Sequence, residues 1–241
     1  MWLVIIGLIT ILILTILILV FATQQTRDPS SSLSSSHPIC YHFPLSDFHH
    51  SCKDHPLRIE NYSGTLKSDP STRTYITVND WFDSPSSKEG HMSKLSFKSD
   101  STNPIAQYIL RWVATQTPSF PHELQTRLET DPSLHYSLRL TSHSWAYPSH
   151  FDCLDNYTIV LAGTRHCILD KKTKVTLNAG DMLYIPAPQE HEFWCDTPPG
   201  QLNILLNINF APRYHREKCD AEFAKLYPFQ VERLDQMVDY S

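Results

Sequence analysis

The sequence predicts a mainly β domain, a sandwich or jelly-roll barrel preceded by a helical segment, with one long apolar helix ahead of both. Three observations predict it. After Asp131-Pro132, short runs rich in β-branched and aromatic residues follow one another at close spacing. Between Asn103 and Leu128, apolar positions recur instead at helical spacing. The chain also opens on an apolar run, Leu3 to Ala22, with no charged side chain before Arg27.

That opening run is interrupted only by Gly7, Thr10 and Thr15. About twenty residues rising about 1.5 Å each span about 30 Å, the thickness of a bilayer's hydrocarbon core. Val20-Phe21-Ala22 weakly resembles a signal-peptide cleavage site. The run is nevertheless longer than a signal's apolar region, and no basic residue precedes it. Residues 1–22 are therefore expected to be an uncleaved transmembrane signal anchor, with residues 3–22 in the membrane. Basic residues are scarce on both flanks, which permits translocation of the body. The sequon Asn61-Tyr62-Ser63 fits a lumenal or extracellular location. Asn156-Tyr157-Thr158 matches the same pattern but falls on a strand expected inside the barrel.

Residues 23–57 are expected to be a Ser-rich flexible tether, on the strength of Ser30, Ser31, Ser32, Ser34, Ser35 and Ser36 and little apolar content up to Pro38. His42, His49, His50 and His55 lie in it without metal-ligand spacing and read as polar linker. The remainder, 58–241, is long enough for one well-buried domain and too short for two. The net charge is -5, with acidic and basic residues interspersed, so no nucleic-acid partner is expected. The 6 cysteines include no close Cys-x-x-Cys pair, which argues against a zinc knuckle. Cys40 and Cys52 could pair in an oxidising lumen, and all would stay reduced in the cytosol.

Within the domain, residues 58–100 are mixed, with a short strand at Tyr75-Ile76-Thr77-Val78 and a capped helical turn at Asn79-Asp80-Trp81-Phe82. Asn103-Pro104 opens a helix that buries Ile105, Tyr108, Ile109, Trp112 and Val113, and a second helix runs from Pro121 to Leu128. Trp81 and Trp112 read as core. Strands follow at Tyr136 to Leu140, His150 to Asp152, Tyr157 to Leu161, Arg165 to Leu169, Lys174 to Leu177, Met182 to Ile185, His191 to Cys195 and Leu202 to Phe210. Gly163, Ala179-Gly180-Asp181 and Pro198-Pro199-Gly200 are expected as hairpin turns. Phe223, Leu226, Val231 and Leu234 then offer an apolar face, for a homodimer or for the chain's own barrel.

The chemistry concentrates at His150-Phe151-Asp152. Alternate side chains of a strand share a face, so His150 and Asp152 point the same way. His191, on another strand, would complete a two-histidine, one-carboxylate set, which suits Fe(II) and leaves coordination positions open. Glu190 and Glu192 flank His191 and by parity should point away into solvent. His143, His166 and His215 read as structural or solvent-facing.

Ser149-His150-Phe151-Asp152, Asp155-Asn156-Tyr157, Ala162-Gly163-Thr164-Arg165, Asn178-Ala179-Gly180-Asp181-Met182-Leu183-Tyr184-Ile185-Pro186 with His191, and Asn207-Ile208-Asn209-Phe210 together resemble the cupin-like, jumonji-C group of Fe(II)- and 2-oxoglutarate-dependent oxygenases. The similarity spans about residues 130–212 well and 70–130 in outline. It implies a double-stranded β-helix, the cupin jelly roll. It also implies that His150, Asp152 and His191 bind Fe(II), and that Arg165 anchors the distal carboxylate of 2-oxoglutarate where the family usually has lysine. Asn156 and Asn209 take the places of amides near the co-substrate, and Tyr147 stands where a small hydroxyl residue is common. Pro188-Gln189-Glu190 replaces aromatic residues ahead of the last ligand. The implied activity is hydroxylation of a protein side chain or small molecule, with decarboxylation of 2-oxoglutarate to succinate. The alternatives are a non-catalytic cupin-like binding module and a small-molecule cupin using another divalent metal.

Overall fold

A computed structural model describes residues 41–61, 74–83 and 91–211. The expected anchor at 1–22, the serine run, His215 and the C-terminal apolar face lie outside the described residues, as does most of the Asn61 sequon. Among the described residues no helix is long and apolar enough to cross a membrane.

Among the described residues, eleven strands form two antiparallel sheets: β1 (Pro56–Asn61), β2 (Thr74–Thr77), β3 (His91–Phe97), β4 (His135–Thr141), β5 (Trp145–His150), β6 (Asp155–Ala162), β7 (Thr164–Leu169), β8 (Thr173–Asn178), β9 (Met182–Ile185), β10 (His191–Cys195) and β11 (Asn203–Phe210). The larger sheet runs β2-β1-β3-β4-β11-β6-β9 and the smaller β5-β10-β7-β8. From β4 onward the chain repeatedly crosses between the sheets, which makes the expected jelly roll. β1 and β3 are strands where the sequence reads as mixed. Both extend the larger sheet beyond β4.

That larger sheet is buried on both faces, and its strands divide their side chains accordingly. Leu138 and Leu140 of β4, Ile159 and Leu161 of β6, and Ile204, Leu206, Ile208 and Phe210 of β11 join a core with the helices. Val160 and Leu205 point the other way and pack with Trp145, Cys167, Leu169, Phe193 and Cys195 of the smaller sheet. This explains why β11 has no exposed position.

Among the described residues, four α-helices cover the outer face: α1 (Leu45–Cys52), α2 (Val78–Asp83), α3 (Pro104–Gln116) and α4 (His122–Thr130). α3 starts where Asn103 Oδ1 accepts hydrogen bonds from Ile105 N–H at 2.9 Å and Ala106 N–H at 3.3 Å, with Pro104 pre-set for the first turn. Its buried stripe is Ile105, Tyr108, Ile109, Trp112 and Val113, and Trp81 of α2 is fully buried.

Two expectations are corrected. The tether does not extend through residues 41–57, which form α1 and the start of β1. Tyr41, Phe43, Phe48, Cys52 and Leu57 are buried in the helical core, Trp112 Nε1–H donates to His42 O at 3.2 Å, and Tyr108 OH donates to Asp47 at 2.5 Å. His49 stacks on Phe82 at 4.3 Å. Serine-rich composition ends before this aromatic cluster begins. Cys52 is a buried free thiol, and Cys40 lies outside the described residues.

The three glycine-containing turns are sheet-to-sheet corners, because β6–β7, β8–β9 and β10–β11 each join different sheets. At Gly163 φ is +80°, and an added Cβ would sit 2.8 Å from Asn203 Nδ2 and from Leu202 O. A true hairpin joins β7 and β8 through Asp170 and Lys171, both at positive φ. It carries no glycine, so it lacks the usual sequence signal.

Candidate metal centre

β5 pairs with β10, and Trp145 and Phe193 place aromatic side chains between the sheets. The register aligns Tyr147 with Phe193 and His150 with His191, so β5 holds one residue more than β10 between these pairs. That bulge, at Pro148-Ser149, reverses the strand's parity and turns His150 inward. Strand alternation is therefore not what joins His150 to Asp152. β5 ends at His150, and Asp152 lies in the connection to β6.

The three side chains nevertheless converge. His150 Nε2 is 3.9 Å from Asp152 Oδ1, and His191 Nε2 is 3.5 Å from Asp152 Oδ2. All three ligand atoms lie within 4.8 Å of one another. The imidazole rings stand 4.3 Å apart, inclined at 59°. His150 Nδ1 lies 2.8 Å from Pro148 O, and His191 Nδ1 lies 2.9 Å from Gln189 O. A carbonyl only accepts, so each Nδ1 carries the proton and each Nε2 presents its lone pair to the centre. His191 is almost fully buried, and beyond the 3.5 Å approach to Asp152 its Nε2 has no hydrogen-bond partner among the described residues.

Electrostatics favour the metal-binding protonation states of His150 and Asp152. Burial pushes the His150 imidazole down to about 4, helped by the neighbouring His191 ring and the Arg139 guanidinium and opposed by Asp152 and the Pro148 carbonyl. Burial alone would raise the Asp152 carboxyl. The imidazoles of His191 and His150, with Arg139, outweigh it and hold the group below the usual carboxylate range. Two neutral imidazoles and one carboxylate make a donor set for a divalent cation.

The supporting contacts lie behind the ligands. Ser149 Oγ–H donates to Glu190 Oε1 at 2.6 Å, and Lys171 Nζ lies 2.9 Å from the same oxygen. Glu190 thus turns away from the triad, as parity requires, but it is partnered rather than solvated. It joins the residue before His150 to the residue before His191. Deeper in, Asp155 Oδ2 accepts from Arg127 Nη1 at 2.6 Å, while its Oδ1 accepts from Ala187 N–H at 2.9 Å. Asp155 thereby ties the segment after Asp152 to the loop before His191.

Arg165 is not solvent-facing: it is 1% exposed, its Cζ 4.9 Å from the Trp145 ring and 5.3 Å from the Phe193 ring. Tyr147 stacks on Trp145 at 5.8 Å and meets the edge of His150 at 4.4 Å. Asn156 and Asn209 are buried register partners on β6 and β11. Thr158 Oγ1 donates to Asn156 Oδ1 at 3.1 Å and lies 3.0 Å from Asn207 Oδ1. His166 is held outside, stacked on Trp194 at 5.1 Å.

Sequence reasoning passed over Arg139, His135 and Lys94. On β4, Tyr136, Leu138 and Leu140 pack among the helices, so His135, Ser137 and Arg139 share the opposite face, toward the smaller sheet. The alternation was legible. What it concealed was that the polar face is the interior one.

No protein-family model and no curated protein matches the sequence. Solved structures similar to the chain include an RmlC-like cupin from Shewanella frigidimarina, 20% identical, covering 34% of this chain and 68% of that one at a TM-score of 0.29. A cupin superfamily protein from Desulfitobacterium hafniense is 19% identical over 32% of this chain and 67% of its own, TM-score 0.28. The polyketide cyclase RemF from Streptomyces resistomycificus is 24% identical over 34% of this chain and 56% of its own, TM-score 0.29.

Proposed function

We propose that this chain is a metal-dependent oxygenase of the Fe(II)- and 2-oxoglutarate-dependent type, a hydroxylase of a protein side chain or small molecule, held at a membrane by residues 3–22 with its body lumenal or extracellular. The observation that carries the reading is the pair of imidazoles whose Nδ1 atoms are committed to backbone carbonyls, leaving both Nε2 atoms directed at one carboxylate. Bonds of about 2.1 Å would draw such donors to about 3 Å from each other, within reach of side-chain adjustment from the distances found. The buried, unbonded Nε2 of His191 fits a ligand role.

His150, Asp152 and His191 would hold Fe(II), which with dioxygen as the oxidant and 2-oxoglutarate as the co-reductant would supply the chemistry that puts one oxygen atom into a C–H bond and the other into succinate, with carbon dioxide released. The chain's own residues orient and shield. The Pro148 and Gln189 carbonyls fix both imidazole tautomers. Trp145, Tyr147 and Phe193 exclude water from one side, and Asn156 and Asn209 offer amides to a polar ligand on the other. Arg165 is buried with its charge against two aromatic faces, a setting that suits a guanidinium holding a carboxylate.

The test is succinate formation from 2-oxoglutarate with added Fe(II), compared between wild type and Asp152→Ala. Turnover abolished in the variant supports the oxygenase. Equal background in both proteins overturns it in favour of a binding module.

A further inference from the structure

Across the barrel from the triad, β3 and β4 present a cationic wall. Lys94 and Arg139 are direct cross-strand partners. Both lie on the inward face: Met92, two residues before Lys94, and Leu205, the register partner of Arg139 on β11, belong to the core between the sheets. Arg139 Nε is buried and makes no hydrogen bond among the described residues. A buried guanidinium donor without a partner carries a desolvation cost that a carboxylate would remove. Arg139 is also the arginine whose charge acts on both His150 and Asp152. The neighbouring rungs of this wall are polar as well: His135 pairs with Asn209, and Ser137 with Asn207.

We infer that Arg139 is the anion-recognition residue of the metal centre, binding a carboxylate of the organic compound held there, so that the centre takes carboxylate-bearing compounds. The inference rests on the metal-centre reading for its location, and it adds to the Arg165 guanidinium of the smaller sheet a second cation on the larger one. The carboxylate has two sources: the distal end of 2-oxoglutarate, or an acidic primary substrate bound beside it.

Calorimetric titrations of wild type, Arg139→Gln, Arg139→Lys and Arg165→Gln decide it. Co(II) affinity is measured first on each protein. Then 2-oxoglutarate is titrated into the metal-free and Co(II)-loaded forms, and glutarate into the form saturated with 2-oxoglutarate. Arg139→Gln is expected to weaken carboxylate binding about ten- to a hundred-fold, with Arg139→Lys recovering part of it. Co(II) binding should not weaken, because Arg139 repels a cation; a folding defect would weaken both. Loss confined to 2-oxoglutarate assigns the carboxylate to the co-substrate, and loss confined to glutarate assigns it to the primary substrate. Wild-type affinity for both compounds in Arg139→Gln overturns the proposal, as does a wild type that binds neither. A wild type that binds no Co(II) refutes the metal centre, while the metal-free titration still reads Arg139.

Discussion

His150 and His191 face one another across the β5–β10 pairing because β5 carries one residue more than β10 between that pair and the Tyr147–Phe193 pair. Each ring is then locked by the same local device, an Nδ1–H donated to the carbonyl two residues earlier. The bulge aims one ring, and the paired carbonyls fix both tautomers. The carboxylate of Asp152 has only to arrive from the β5–β6 connection.

The depressed His150 imidazole predicts a pH dependence for the metal-free protein. The unfolded chain takes up a proton on this residue near pH 6.5, whereas the folded chain resists until about 4. Between those values the unfolded state binds more protons, so stability falls as the pH falls. Fully expressed, this is worth about 3 kcal/mol. Urea denaturation of chelator-treated wild type and His150→Gln at pH 7, 5.5 and 4.5 measures it. Wild type should lose stability through the series more steeply than the variant, and parallel curves would refute the assignment.

Arg127 and Asp155 form a buried ion pair, side chains 2% and 3% exposed, with Arg127 also donating to Ala211 O at 2.7 Å. Arg127→Met leaves the carboxylate buried with its cation removed and is expected to cost about 3–5 kcal/mol in chemical denaturation. Asp155→Asn in the same background should recover part of that loss. Because Asp155 also holds Ala187, Asp155→Ala should weaken divalent-metal affinity about ten-fold or more without removing a ligand. Unchanged metal affinity in a folded Asp155→Ala protein would limit the residue to stability alone.

Gly163 makes the corner between the sheets at a φ of +80°, with Asn203 Nδ2 and Leu202 O 2.8 Å from where a Cβ would stand. Gly163→Ala combines left-handed strain with two close contacts, and is expected to lower stability by at least about 2 kcal/mol. Gly200, also at positive φ, has open space around its would-be Cβ. Gly200→Ala should therefore cost less, and a thermal melt of the two variants side by side reads the difference.

Local pattern by itself determined much of this protein. Asn103-Pro104 capping a stripe of Ile105, Ile109 and Trp112 specifies α3, because cap chemistry and helical periodicity act within a few residues. The strands β9 and β10 fall where alternation places them, and the fold class follows from their number and spacing. His150, Asp152 and His191 were legible as a set, although the strand parity offered for His150 and Asp152 was the wrong reason. Tertiary structure alone decided what depends on pairing between distant segments. A bulge exists only relative to its partner strand, so nothing in Pro148-Ser149 announces that His150 will turn inward. Whether a glycine turn closes a hairpin or crosses between sheets depends on which strands pair, as Gly163 shows. The polar face of β4 carries the same alternation whether it meets water or a barrel interior. The covering helices and the opposite sheet, packed on either side, made Arg139 an interior cation.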